Sequence, residues 1–488
     1  MICEEIASQS KDLIIGDIMR RRFAKILATV GPASAAPENL RLLHDVGVDA
    51  FRLNFSHGSH DDHARSVAAI RQIEKDTGNS IAIVADMQGP KLRVGEFEGG
   101  KIELKYGQEV TLFLGTDGGK DGLIPVNHPE MFKAMEPGHQ LKFDDGKLMV
   151  TILSNSGDKM TARVDVPGML GNKKGVNVIG ATLPMSAMTA KDRKDMVFAL
   201  SQDVDWIALS FVQTEQDVID AREIIGDNAK IIVKVEKPSA VDDLHKILKH
   251  TDAVMVARGD LGVELPLEAV PVVQRQIIRA ARGLGKPVIV ATHMLESMID
   301  APTPTRAEAS DVATAIYQGA DAVMLSAETA VGRHPATAVA IMDRIITAAE
   351  SDPEFWNYFR SRPLPHDATG EDAISISVRS IAEIMSCKAV LGYTLTGSTV
   401  QRISRERPPC RIVGLTPRRK TASQMALSWG VLPVVTHDPS NFDTMIEIAR
   451  DVARDKTGAV SGDKVLISAG IPFGIAGTTN TLKVDTLD

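Results

Sequence analysis

The 488-residue sequence predicts an α/β protein: a (β/α)8 TIM barrel interrupted by an all-β domain and followed by a smaller α/β domain. Three observations carry that expectation. Short runs rich in Val and Ile recur, each followed by a longer amphipathic segment, which is the pattern of parallel strands joined by helical crossovers. Eight such runs can be counted, the number that closes a barrel. Between the third and fourth lies a gap of over a hundred residues with a different texture, and further apolar runs follow the eighth.

Taken in order, residues 1–19, "MICEEIASQSKDLIIGDIM", place acidic residues ahead of a broken apolar pattern, the wrong order for a secretory signal, and read as a short helical leader. The barrel is assigned to 20–88 and 187–360. Its runs are "AKILATV" (24–30), "VDAFRLNF" (48–55), "SIAIVAD" (80–86), "VDWIALSF" (204–211), "AKIIVKVE" (229–236), "DAVMVA" (252–257), "KPVIVAT" (286–292) and "ADAVMLS" (320–326). Residues 89–186 are rich in glycine, as in "GEFEGGKIELKYGQEVTLFLG", and alternate in "MVTILSNSGDKMTARVDVPG", so short antiparallel strands are expected there. A Pro- and charge-bearing linker, "SRPLPHDATGED" (361–372), opens the last domain, 361–488, where "AVLGYT", "RIVGLT", "VLPVV" and "KVLIS" alternate with helical segments.

Composition narrows the function. With 44% hydrophobic residues there is ample core, and 55 basic against 63 acidic residues argue against a nucleic-acid or membrane surface as the main partner. The three cysteines, Cys3, Cys387 and Cys410, are odd in number and far apart, which suggests neither a disulfide framework nor a zinc site and fits a reducing cytoplasm. No stretch approaches the roughly 18 apolar residues of a membrane span.

Catalytic groups of such barrels stand at the carboxyl ends of the strands. There the second strand is expected to end in "FRLNFSHG", where Arg52, Asn54 and Ser56 are two apart and so share a face, the third in Asp86, the sixth in Asp260, the seventh in Thr292 and the eighth in Ser326 followed by Glu328, while Lys234 and Glu236 lie on one side of the fifth. One polar strand end is usually a cap or turn, and Lys234 could simply pair with Glu236. Many ionisable or hydroxyl groups at one rim are costly without a ligand. Glu236 and Asp260 suit Mg2+ or Mn2+, while Arg52 and Lys234 suit phosphate, a combination that points to phosphoryl transfer. The triplet Arg258-Gly259-Asp260 also invites an adhesion reading, which a barrel strand end does not support.

"ILATVGPAS", "FRLNFSHG", "DMQGPKLRVG", "KKGVN", "VARGDLGVE", "ATHMLESM", "PTRAEASDVA" and "LSAETAVGRHP" together resemble, in order, the signatures of the pyruvate kinase family, from Arg20 to the end of the chain. The resemblance implies a cytoplasmic homotetramer that transfers the phosphoryl group of phosphoenolpyruvate to ADP, giving pyruvate and ATP. It implies that Glu236 and Asp260 bind the divalent metal, that backbone around Gly259 faces the substrate carboxylate, and that Lys234, Arg52 and Arg93 stabilise the moving phosphoryl group. Asn54, His57, Arg93 and Lys174 would lie along the nucleotide path, Thr292 and Ser326 in a proton relay to the enolate, and the inserted domain would close as a lid.

Many family members carry Glu at the position of Lys91 and bind potassium through residues matching Asn54, Ser56, Asp86 and the backbone of Met87. Here the charge is reversed, so a potassium-independent enzyme is expected. In the last domain, Thr394, Thr396, Gly397, Ser398 and Thr399 precede and open a helix, where hydroxyls and backbone N–H groups can hold phosphate or merely cap. The family uses this loop for sugar-phosphate or nucleotide activators. A metal-dependent lyase and a catalytically dead sugar-phosphate sensor remain the alternatives; the lyase leaves Lys234 and the inserted domain unexplained, and the intact rim residues speak against the sensor.

Overall fold

The computed structural model describes residues 20–488 apart from 363, 366, 367, 440 and 473–478. The expected leader, and Cys3 with it, lies outside the described residues. Eight parallel strands form a closed barrel: Lys25–Val30, Ala50–Asn54, Ala82–Asp86, Trp206–Leu209, Lys230–Val235, Ala253–Ala257, Val288–Ala291 and Ala322–Leu325. The first strand pairs with both the second and the last, which closes the ring. Each strand falls within one of the eight apolar runs.

Alternation along the strands sorts the side chains into two layers. Leu27, Val84, Trp206, Ile232, Met255, Ile289 and Met324 belong to one buried cluster inside the ring. Residues of opposite parity, such as Ile26, Ile83, Ile231 and Val254, pack outward against the helices. Capping boxes fix where several of those helices begin: Ser59 with Asp62, Thr189 with Asp192, and Thr305 with Glu308.

The insertion contains a six-stranded sheet and a two-stranded ribbon around a separate core that includes Leu112, Ile124, Phe143, Val150 and Val164. One helix, Pro129–Ala134, interrupts this otherwise all-β domain; its proline stands at the helix start, where a missing N–H costs nothing. The final domain is a five-stranded sheet whose last strand, Thr479–Thr486, runs antiparallel to Lys464–Gly470.

That domain seals one end of the barrel. Ala426 and Leu427 belong to the same cluster as the barrel's inward residues. Around this plug, Lys25 Nζ donates to the Val431 carbonyl (2.7 Å), Arg407 pairs with Asp321 (3.0 Å), and Trp429 Nε1 donates to Glu350 (3.0 Å). Ligands must therefore approach from the opposite rim, at the carboxyl ends of the strands.

Candidate active site

Lys234 stands at the centre of that rim. It shares the inward face of its strand with Ile232, and its Nζ lies 2.8 Å from Glu236 Oε1, 3.3 Å from Asp86 Oδ1 and 2.7 Å from Ser210 Oγ. Arg52 Nε grips the other oxygen of Asp86 at 2.6 Å and reaches Thr29 Oγ1 at 3.2 Å through its terminal nitrogen. Glu236 and Asp86 are each only 1% exposed. Burial alone would push Asp86 up, but Lys234 and then Arg52 outweigh it and hold the carboxyl below its ordinary range. Burial would likewise drive the Lys234 ammonium toward its neutral form; Asp86 and Glu236 reverse this and keep it charged. For Glu236 burial dominates: with Asp260 nearby, its carboxyl is pushed above the ordinary range despite Lys234.

The backbone here takes conformations that side chains normally avoid. Phe211 has φ +57° and donates its N–H to Glu236 Oε2 (2.8 Å); Thr292 has φ +68°. Such geometry costs of order 1–3 kcal/mol per residue and survives only where the surroundings impose it. Thr292 Oγ1 donates to the Ala291 carbonyl (2.6 Å) and accepts the Gly259 N–H (2.7 Å). A Cβ on Gly259 would stand 3.3 Å from that hydroxyl and 3.4 Å from the His293 ring, so the glycine keeps the approach open.

The charge after the sixth strand now has a setting. The strand stops at Ala257, and Arg258–Glu264 forms a short helix with Asp260 in its first turn. Arg258 is a brace, paired with Asp311 at 2.6 Å and bonded to the Thr292 carbonyl at 2.7 Å. Asp260 lines a cleft together with Lys91, Asp145, Asn177, Phe211 and Lys237. The inserted domain forms its other wall, tied to the Asp260 helix by Asn177 to Glu264 (3.0 Å) and Lys142 to the Val263 carbonyl (2.6 Å).

The structure thus brings together Arg52, Asp86, Lys234 and Glu236, with Asp260 close enough to bias Glu236, and separately Gly259 with Thr292. Met87 joins the first group indirectly, its carbonyl accepting from Ser210 Oγ (2.7 Å). Other candidates sit apart. The second strand ends at Asn54, so its alternation does not extend to Ser56; Asn54 Oδ1 accepts the Ser56 N–H (3.1 Å), and Ser56 and His57 are exposed. Lys174 pairs with Asp144 (2.8 Å), and the Arg93 guanidinium donates to the Lys173 carbonyl (2.8 Å). Lys91 is exposed, its Cε facing Gly175 across the cleft, and no ion pair joins it to Asp86 among the described residues. Ser326 Oγ is buried without a hydrogen-bond partner among the described residues, and its N–H is held by Glu328 (2.6 Å).

In the last domain Gly397 has φ +90° and donates its N–H to Thr394 Oγ1 (2.8 Å); Thr396 pairs with Ser398 (3.1 Å) and Thr399 with Thr479 (2.6 Å). Sequence reasoning missed Ser210 and Phe211. Ser210 was findable, since it stands at the end of the fourth run, where the strand-end rule already applied.

Chemically, the rim defines a barrel enzyme that can hold an oxygen-ligated divalent cation on two carboxylates, beside two fixed cations for an anionic substrate. Residues 20–339 match the family model described as pyruvate kinase, barrel domain, and residues 372–485 match pyruvate kinase, alpha/beta domain. A pyruvate kinase from Agrobacterium vitis is 47% identical over 96% of this chain and 99% of its own length. One from Methylorubrum extorquens is 44% identical over 95% and 97%. The crystal structure of a pyruvate kinase from Cryptosporidium parvum superposes with a TM-score of 0.90 at 33% identity, over 96% of this chain and 97% of that one. The chain belongs to the pyruvate kinase family and is a phosphotransferase.

Proposed function

We propose that this enzyme transfers the phosphoryl group of phosphoenolpyruvate to ADP, giving pyruvate and ATP in glycolysis, with Mg2+ or Mn2+ held by Glu236 and Asp260. The observation that carries this reading is Lys234, fixed by Glu236, Asp86 and Ser210 at 2.8, 3.3 and 2.7 Å on the open rim of a barrel of this family. The acid pair fits the metal: hard carboxylate oxygens, one nearly buried with its carboxyl pushed up by burial, the condition a divalent cation would relieve. When bound, the cation supplies charge neutralisation on the phosphoryl and enolate oxygens.

The protein's own part is positioning and electrostatics. Lys234 keeps its proton and presents it to the phosphoryl oxygens and the forming enolate. Arg52, anchored by Asp86, offers its remaining N–H groups to phosphate, and Arg93 from the inserted domain adds to them. Asn54, His57 and Lys174 line the nucleotide path as the lid closes. Substrate carboxylate at Gly259 takes over the N–H now spent on Thr292, and the Thr292 hydroxyl delivers its proton to the enolate by turning away from the Ala291 carbonyl to which it now donates. Ser326, whose Oγ has no hydrogen-bond partner among the described residues, extends that relay. Lys91 replaces the monovalent cation that relatives hold near Asn54, Ser56, Asp86 and Met87, so potassium is not required. The Thr394–Thr399 loop binds a phosphorylated activator, a sugar phosphate or nucleotide. The working form is a cytoplasmic homotetramer; among the described residues no helix is long and apolar enough to cross a membrane. The domain limits stay as read from sequence, with 361–488 regulatory.

The test is pyruvate formation from phosphoenolpyruvate, ADP and Mg2+ in buffer free of potassium and ammonium, repeated with potassium and with a chelator. Equal activity with and without potassium, lost on chelation, is expected. Activity only with potassium would remove the Lys91 assignment and keep the kinase; silence throughout, with folded protein and sugar phosphates present, would remove the kinase.

A further inference from the structure

The segments that carry Glu236 and Asp260 meet a second time, away from those two carboxylates. Glu264 stands one helical turn beyond Asp260 in Arg258–Glu264, so the two share a face of that short helix. Its Oε1 accepts from Lys237 Nζ at 3.1 Å and from Asn177 Nδ2 at 3.0 Å. Lys237 directly follows Glu236, and Asn177 lies on the strand Val176–Ile179 of the inserted domain. One carboxylate oxygen therefore joins the Asp260 helix, the Glu236 segment and the lid.

This pair is not a solvated surface bridge. The Lys237 and Glu264 side chains are 14% and 4% exposed, and a pair so buried recovers its desolvation cost only with good geometry and further hydrogen bonds. Asn177 supplies one such bond. Lys237 Nζ also lies 5.9 Å over the Phe211 ring, and the Phe211 N–H is the group that holds Glu236 Oε2 at 2.8 Å. A second contact from the lid falls on the same turn of the helix. Lys142 Nζ donates at 2.6 Å to the Val263 carbonyl, one of those that a helix end leaves without an intrahelical partner.

We propose that Glu264 is a positioning residue that couples the lid to the divalent-cation site, an inference that rests on the assignment of the cation to Glu236 and Asp260. Through Lys237 and its own helix Glu264 sets the spacing of those two carboxylates, and through Asn177 that setting depends on the lid. The coupling is reciprocal: the closed lid tightens cation binding, and the bound cation holds the lid down. Without Glu264, Lys237 loses its partner beside Asp260, with which it lines the cleft, and competes with the cation there.

The experiment measures Mn2+ binding to the full chain without substrates, from the loss of the free-ion paramagnetic resonance signal, and follows hydrogen exchange of residues 172–179 with and without Mn2+. Glu264→Ala and Asn177→Ala should each weaken Mn2+ binding roughly 10- to 100-fold, the scale of lost partners behind metal ligands. Glu264→Gln, whose amide oxygen still accepts from Asn177 and Lys237, should lose less, and the double Glu264→Ala/Asn177→Ala should bind no more weakly than Glu264→Ala. Mn2+ should slow exchange in the parent and not in Asn177→Ala. Asp260→Asn, expected to abolish binding, separates the two readings. No binding by the parent, or binding unchanged in Asp260→Asn, removes the metal assignment and this proposal with it. Binding lost in Asp260→Asn but within twofold of the parent in both Asn177→Ala and Glu264→Ala overturns this proposal alone, as do losses that add in full in the double variant or parental exchange that ignores Mn2+. If Glu264→Ala fails to fold, Asn177→Ala decides.

Discussion

Replacing Lys234 with Met tests the core of the site, because the structure separates what the ammonium does for catalysis from what it does for the fold. Asp86 keeps Arg52 at 2.6 Å, so it is not abandoned by the substitution. Glu236 is. It retains the Phe211 N–H at 2.8 Å but loses its only cation in ion-pair range among the described residues, with Asp260 still repelling it. Breaking a buried pair typically costs about 3–5 kcal/mol. Since burial already raises the Glu236 carboxyl, protonation would relieve part of that cost, so the loss should sit near about 3 kcal/mol at pH 6 and grow as pH rises. The sign follows from proton counting: without Lys234 the Glu236 carboxyl is raised further than in the parent, so as pH rises the folded variant keeps more of a proton that the unfolded chain has released and loses stability faster than the parent. Catalysis should fall on the order of a hundredfold to a thousandfold, as when one preorganised donor to a developing anion is removed. Unfolding of both proteins at pH 6 and pH 8, with kcat from a coupled pyruvate assay, measures the two effects. A stability gap that does not widen with pH, or a kcat within tenfold of the parent, would refute the reasoning.

Lys91→Glu should make activity depend on potassium; a variant equally active without potassium rules out cation replacement. Thr292→Ala should lower kcat by roughly a hundredfold, the scale of a lost general acid, while Thr292→Ser retains most of it; equal loss in both would point to backbone strain at φ +68° instead. Burial pushes Asp205 up to about 6 although Arg71 opposes it, so its protonated form stabilises the fold at acid pH and that contribution, about 3 kcal/mol, is lost as pH rises from about 4 to about 6. Asp205→Asn should remove this slope from denaturant unfolding at pH 4.5 and 6.5. Truncation after Ser361 strips Ala426 and Leu427 from the barrel end and Arg407 from Asp321, so it should yield no cooperatively unfolding protein; a stable monomeric barrel would count against the plug.

Local periodicity carried most of the fold. "RIVGLT" is a strand over those same residues, Arg411–Thr416, and all eight barrel runs contain their strands, because apolar runs bounded by turn residues encode a strand buried on both faces. Long-range facts were hidden. Nothing in the period of residues 419–429 says that Ala426 and Leu427 finish the interior of a different domain. The strand Thr479–Thr486 has a weak apolar alternation, and its pairing with Lys464–Gly470 supplies what its pattern does not. At the site, residue chemistry at strand ends located Arg52, Asp86, Lys234, Glu236 and Asp260. Phe211 carries no polar signal, and its role lies in a left-handed backbone that no bulky side chain advertises.

The sequence left Lys234 between two readings, an ion pair with Glu236 or a group reserved for a ligand, and the geometry shows why these are one reading. An ammonium 12% exposed at the top of an apolar strand has to be satisfied before any substrate arrives, or the fold would favour its neutral form. The partners that satisfy it are Glu236 from two residues on, Asp86 from the third strand and Ser210 just past the fourth. Each is fixed in turn, by Phe211, by Arg52 and by the Met87 carbonyl. The result balances Arg52 and Lys234 against Asp86 and Glu236, with Asp260 left over as excess negative charge at the mouth. A trianionic substrate meets no net attraction from such a rim alone. In the proposed function the ion pairs that make the lysine tolerable are therefore also the reason the rim would depend on an added cation, with Glu236, the carboxylate that burial leaves least satisfied, proposed to receive it together with Asp260.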